Sequence, residues 1–172
     1  MRHGTLAVLT LLIFSALGSL SFGGDTESER KSLKGLSGIE VEVYLDDPKV
    51  AEALKGKIQT DVELRLRKAG VRVVEHSAIP EGQPSLQITI NLLADDGAPK
   101  YVFVSSVRLR QFVVTSADFD RPVSQRNYLK VVTWGVESLG TVGRSKIETI
   151  RDTVNDEVDM FINAYLSQNP KN

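Results

Sequence analysis

Over a few residues the apolar period of this chain changes from two to four. Ile39, Val41, Val43 and Leu45 alternate with Glu40, Glu42 and Tyr44; beyond Asp46, Val50, Leu54, Ile58, Val62 and Leu66 recur every fourth position. Period two sends alternate side chains to opposite faces of a strand, whereas a period near 3.6 gathers them along one side of a helix. A strand running directly into a helix is the consequence. Asp47 is placed to accept N–H bonds from the first helical turn, Pro48 occupies the position where a missing N–H is harmless, and Gly70 supplies a left-handed stop. The helix is therefore predicted over 48–69, and Val71–Glu75 (VRVVE) follows as a short second strand. Tight joints in that strand, helix, strand order imply a right-handed parallel crossover.

The next segment, His76–Pro84, has the Pro and Gly content of a surface loop. A third strand, Ser85–Leu93, alternates Leu86, Ile88, Ile90 and Leu92 against Gln87, Thr89 and Asn91. The turn Ala94–Lys100 leads to a long fourth strand, Tyr101–Thr115, whose mixed parity predicts a bulge or a change of partner. After the polar connection Ser116–Arg126, a fifth strand starts near Asn127, and the third to fifth strands form an antiparallel meander. Ser145 with Glu148 three residues on predicts a capping box for a closing helix, with Ile147, Ile150, Val154, Val158, Phe161, Ile162 and Tyr165 on its apolar side. The fold class expected is α+β: a two-layer sandwich in which two helices cover one face of a mixed five-stranded sheet, in the order β-α-β-β-β-β-α.

Upstream, Arg2 and His3 precede the apolar run Leu6–Leu20, and small residues follow at Ser21, Gly23 and Gly24. That is the three-part pattern of a secretory signal peptide, cut most simply after Gly23; a retained anchor is the rival reading. The polar stretch 24–38 reads as a flexible linker, 39–168 as a single domain and 169–172 as a tail. With no cysteine, lipid attachment at the cut site, disulfides and thiolate metal sites are excluded, and an exported domain must rest on its core. Without the leader the net charge is −2, and no concentrated Lys/Arg run exists, so nucleic acid is not an expected partner. Membrane contact is expected only through the leader, if it is uncleaved.

The sheet face away from the helices should show Glu40, Glu42, Tyr44, Gln87, Thr89, Asn91, Arg108, Arg110, Lys130, Val132 and Trp134. Cross-strand charge pairs that solubilise the sheet account for much of this mixture, at about 0.2–1 kcal/mol each. Aromatic and Arg side chains also concentrate at interface hot spots, which makes Tyr44, Arg108, Arg110, Lys130 and Trp134 the candidate protein-binding residues. The turn Gly143, Arg144, Ser145 and Lys146, leading into a helix amino terminus, is the candidate anion site; it lacks the spacing of a P-loop and of a dinucleotide fingerprint. His76, the one histidine outside the leader, has no second ligand or triad pattern, and the Asp pairs lack EF-hand spacing. No catalytic residue, metal or cofactor is expected.

In element order and export signal the chain resembles small periplasmic α/β modules such as the amino-terminal domain of the Tol-Pal propeller protein, the lipopolysaccharide-assembly lipoprotein and auxiliary lipoproteins of envelope transporters. The resemblance covers about Ile39 to Leu166 and is one of architecture, without shared motif residues. It implies a non-enzymatic partner of envelope machinery. The expected function is thus an exported, non-catalytic protein-interaction or adaptor module with an envelope or secreted protein partner; a carrier of a small ligand or anion is the alternative.

Overall fold

The computed structural model describes residues 20–74, 83–94, 97 and 99–170. Its elements are β1 (Leu20–Gly23), α1 (Glu27–Lys31), β2 (Glu40–Leu45), α2 (Pro48–Ala69), β3 (Ser85–Ala94), β4 (Lys100–Val114), β5 (Tyr128–Gly143) and α3 (Ile150–Gln168). The sheet order is β1-β5-β4-β3-β2, with β2 and β3 parallel and every other neighbouring pair antiparallel. The α+β class and the β3-β4-β5 meander follow the sequence pattern. Helix α2 does so to the residue: Asp47 Oδ1 accepts from the N–H of Lys49 at 2.9 Å, Pro48 opens the first turn, and Gly70 stops the helix at φ 86°.

The membership of the sheet is a correction. The expected second strand, VRVVE, makes only one parallel bridge, Ile39 to Val73, and Glu75 lies outside the described residues together with His76 and the loop up to residue 82. The next outward-facing carbonyl of β2 is taken by a side chain. Gln59 of α2 donates its side-chain N–H to Val41 O at 3.0 Å, taking the acceptor that a longer neighbouring strand would use. This side-chain cap also blunts an edge strand that would otherwise offer free backbone groups. The fifth strand of the sheet is instead β1, on the far side of β5. It belongs to the end of the stretch expected as leader; residues 1–19 of that stretch are outside the described residues.

The core lies between one sheet face and the two long helices. Val41, Val43, Leu86, Ile88, Ile90, Val107, Leu109, Trp134 and Val136 meet Leu54, Ile58, Val62 and Leu66 of α2 and Ile150, Val154, Val158 and Phe161 of α3. Each large apolar side chain so removed from water contributes about 1.5–3 kcal/mol. Gly140 permits a close approach here: a Cβ at that position would stand 2.6 Å from Phe103 Cζ, so only glycine lets the ring lie over β5. Along the outer seam of the helices, Arg65 pairs with Asp159, Arg151 with Asp61 and Lys57 with Glu148, at 2.8, 2.6 and 2.6 Å. These part-exposed pairs orient the helices more than they stabilise them, at about 0–1 kcal/mol each.

Residues 24–38, expected as a flexible linker, are part of the fold. Thr26 and Glu29 form a capping box on α1, and Leu33 is fully buried in the core. Asn169, expected in a tail, donates to Leu33 O at 2.9 Å and accepts from Gly35 N–H at 2.8 Å, which ties the segment after α1 to the end of α3. The closing helix also starts differently from expectation. The Ser145–Glu148 box does not form; a 3-10 turn, Arg144–Thr149, precedes α3, and Thr149 occupies the cap position without a side-chain cap bond. Glu148 is drawn away by Lys57, whose Nζ donates to its carboxylate at 2.6 Å.

Candidate interaction site

A single extra residue decides what the helix-free face contains. β4 and β5 pair in register from Lys100–Gly143 to Leu109–Trp134, and again from Arg110–Val132 to Val114–Tyr128, so Thr133 is a bulge on β5. Directly opposed residues share a face. Leu109 faces the core, and Trp134 follows it there; Arg110 faces away, and Val132 and Lys130 follow that side. Strict alternation would have put residues 130, 132 and 134 together, but the bulge shifts parity between the last two.

Trp134 is therefore not a surface residue. It is 0% exposed, meets Phe161 edge-on with ring centroids 5.2 Å apart, and donates its indole N–H to Asp25 Oδ1 at 3.1 Å. The second interaction satisfies the one polar group that burial would strand. The Arg30 guanidinium beside Asp25 is the first cause that holds that carboxyl below its ordinary value, opposed by burial and reinforced by the Trp134 bond.

The other four candidates do share the helix-free face. Tyr44 is 48% exposed and donates its hydroxyl to Glu42 Oε2 at 3.2 Å. Partial burial first, then the Glu42 charge, pushes the phenol above its usual value, with Arg110 opposing. Arg108 donates to Glu137 at 2.7 Å, and Lys130 Nζ stands 3.6 Å from Glu42 Oε1 and 5.9 Å from the centre of the Phe112 ring. Because β3 and β4 separate β2 from β5, the Lys130–Glu42 contact requires this end of the face to be concave. Glu40, Ser85 and Ser106, all directed to this face, are buried.

Toward the opposite end the face is apolar. Val104 lies between Asn91 and Leu139 across the strands, and Val102 lies between Leu93 and Thr141. Leu93 and Leu139 are exposed, and Val102 and Val104 are half-buried. The sequence signal for Leu93 was its departure from the alternation of β3; Leu139 sits within the glycine-containing end of β5, where no periodicity marked it.

The anion candidates fall at the junction between β5 and α3. Gly143 ends β5, while Arg144, Ser145 and Lys146 belong to the 3-10 turn that precedes α3. Arg144 is committed to structure, with its N–H bonded to Pro99 O at 3.0 Å and its guanidinium 5.5 Å from the Tyr101 ring centre.

Sequence reasoning also missed Glu157. It is 2% exposed on the sheet-facing side of α3 and accepts from Ser105 Oγ at 2.8 Å, while Oε2 has no hydrogen-bond partner among the described residues. Burial raises its carboxyl to about 7, the Ser138 and Ser105 hydroxyls pull the other way, and the Glu137 and Asp156 charges add to the rise. Sealed from solvent, it bears on stability rather than on a ligand. A groove of about 470 Å³ on the α2–α3 seam is bordered by Asp61, Arg65, Lys68 and Arg151. Among the described residues no helix is long and apolar enough to cross a membrane, and no cluster of three His, Cys, Asp or Glu side chains is arranged to hold a metal.

No family model matches the chain, and no curated protein matches it. Among solved structures, it is similar to a PelC dodecamer from Paraburkholderia phytofirmans, at a TM-score of 0.47 and 11% identity, over 83% of this chain and 96% of that one. It is also similar to a minor lipoprotein from Acinetobacter baumannii, at 0.43 and 11%, over 79% and 95%. A third is a neuraminyllactose-binding hemagglutinin homolog from Helicobacter pylori, at 0.39 and 15%, over 79% and 86%. Likeness at these levels assigns no family.

Proposed function

We propose that the chain is an exported, non-catalytic protein-interaction module that docks a protein partner on its helix-free sheet face. The observation that carries this reading is the apolar band of Leu93, Val102, Val104 and Leu139 across three strands, bordered by Arg108, Glu137 and, toward the concave end, Tyr44, Arg110 and Lys130. A sheet face that serves only solubility alternates polar residues to water. Exposed leucines across adjacent strands, rimmed by charge, have the make-up of a docking surface. Export is supported by the basic, apolar and small-residue order of the first 24 residues.

The test is site-specific photocrosslinking in the native envelope. A crosslinker at Leu93 or Arg108 should trap one discrete partner, and the same group at Leu64, on the helix side, should not. Substitution of both Leu93 and Leu139 by Glu should abolish the crosslink at Arg108 without lowering the melting temperature. Equal trapping from Leu93 and Leu64, or an adduct that survives the double substitution, would overturn the reading.

A further inference from the structure

Six of the ten large exposed hydrophobic residues among those described fall between Phe112 and Val132: Phe112, Phe119, Val123, Tyr128, Leu129 and Val132. They mark the far end of the β4–β5 hairpin, which leaves the rest of the sheet. Among the described residues β3 pairs with β4 only as far as Arg110, and β1 pairs with β5 only over 136–139, so 111–114 and 128–131 form a two-stranded ribbon that no other described strand borders. Phe112 and Tyr128 lie on one face of it and Leu129 on the other.

The connection at its end is built rather than loose. Asp118, nearly buried, accepts from Asn127 Nδ2 at 3.1 Å and Thr115 Oγ1 at 3.3 Å and pairs with Arg121 at 2.7 Å. Arg126 donates to the carbonyls of Arg121 and Phe119, at 2.9 and 3.0 Å, and its guanidinium lies 5.7 Å from the Phe119 ring centre. This frame leaves Phe119 67% and Val123 65% exposed at the outermost point.

We propose that this hairpin end is a contact for an anionic lipid surface, with Phe119 and Val123 entering the interfacial layer. Two features favour lipid over a protein groove. Apolar side chains stand on both faces and at the tip of a ribbon, a distribution that a fluid interface surrounds and that a single protein surface would cover on one side only. The charge agrees in sign: residues 111–131 hold Arg121, Arg126 and Lys130 against Asp118 and Asp120, a net +1 within a chain of −1, with Arg121 paired to Asp118 and Lys130 near Glu42. Exposed aromatic and aliphatic residues interleaved with cations are what holds protein segments at anionic interfaces. This surface is separate from the apolar band at Leu93 and Leu139.

The absence of cysteine permits a direct test on the full chain. An environment-sensitive fluorophore is attached at Val123→Cys and, separately, at Lys55→Cys on α2, and vesicles of phosphatidylcholine with and without phosphatidylglycerol are added. The label at 123 should shift to the blue and be quenched by nitroxide-bearing lipid, more strongly with the anionic lipid and less in high salt; the label at 55 should do neither. Any adhesion through the apolar run at 6–20 is common to both labelled chains, so their difference reports the hairpin. Phe119→Ser should reduce the quenching at 123 severalfold with an unchanged circular dichroism spectrum. No change at 123, an equal change at 55, or indifference to Phe119→Ser would overturn the proposal. A blue shift at 123 produced by envelope proteins but not by vesicles would assign the patch to a protein partner instead.

Discussion

The indole N–H of Trp134 donates to Asp25 Oδ1 at 3.1 Å, joining the middle of β5 to a residue just after β1. The same carboxylate binds Arg30 through both of its oxygens, so Asp25 links the fifth strand to α1. Replacing Asp25 by Ala removes the hydrogen-bond acceptor of a buried indole N–H and frees a guanidinium. An unsatisfied buried donor costs about 1–3 kcal/mol. Asp25→Ala should lower the urea midpoint accordingly, read from Trp134 itself, since it is the one tryptophan in the chain. Leu33→Ala, in the same stretch, should cost about 2–5 kcal/mol as a core truncation. Midpoints unchanged in both variants would return residues 24–38 to the status of a linker.

This stretch shows where sequence reading reaches and where it stops. The Thr-x-x-Glu spacing of Thr26 and Glu29 was passed over in reading a linker here, and with two leucines, Leu33 and Leu36, and no period, nothing in the local pattern says that Leu33 enters a core completed by residues more than a hundred positions away. The period-two strands β2 and β3 and the period-four helix α2 were legible because each buries one face, and burial writes its own period into the chain. The Ser145–Glu148 box was legible too, yet wrong, because Lys57 on another helix competes for the glutamate. The largest error at the candidate site came from Thr133: a bulge adds one residue without changing composition, and it moves every later side chain to the opposite face.

That bulge makes an unusual prediction. Trp134 and Val132 already stand on opposite faces, so deleting Thr133 lets Val132 follow Trp134 in plain alternation while both keep their present sides. The deletion removes the Thr133 hydroxyl bond to Gln111, at 2.5 Å, and the carbonyl that accepts from Ser32, at 3.3 Å. At roughly 1 kcal/mol per hydrogen bond, the loss should be about 1–2 kcal/mol. The chain should fold with an unchanged near-ultraviolet spectrum; unfolding, or exposure of Trp134 to acrylamide, would show that the register is set elsewhere.

The two aromatics expected on one surface should now separate sharply. Trp134→Ala leaves a cavity under Phe161 and should cost about 3–5 kcal/mol. Tyr44→Ala removes a half-exposed ring whose hydroxyl bonds the part-buried Glu42 carboxylate, and should stay within about 1 kcal/mol. Thermal or urea unfolding of the pair is the check, and comparable losses would contradict the assignment of faces.

Glu157 should make the protein more stable in mild acid than at alkaline pH. Its carboxyl is raised from 4.5 to about 7 in the folded state, chiefly by burial. Between those values the folded chain holds a proton that the unfolded chain releases, so stability is fully present below the lower value and declines as pH rises through the upper one. The decline is on the order of 3 kcal/mol, from about 1.4 kcal/mol per pH unit over the separation of the two values. Glu157→Gln keeps an oxygen to accept from Ser105 Oγ and carries no charge at any pH, so it should flatten the profile and exceed the wild type in stability above pH 7. Near pH 4.5, where the folded wild type is already neutral at this position, the two should differ little. Urea midpoints measured from pH 4 to pH 9 decide it: a wild-type profile that rises with pH across this window, or a Gln variant that follows the wild-type slope, would mean that Glu157 is not the group that titrates in the core.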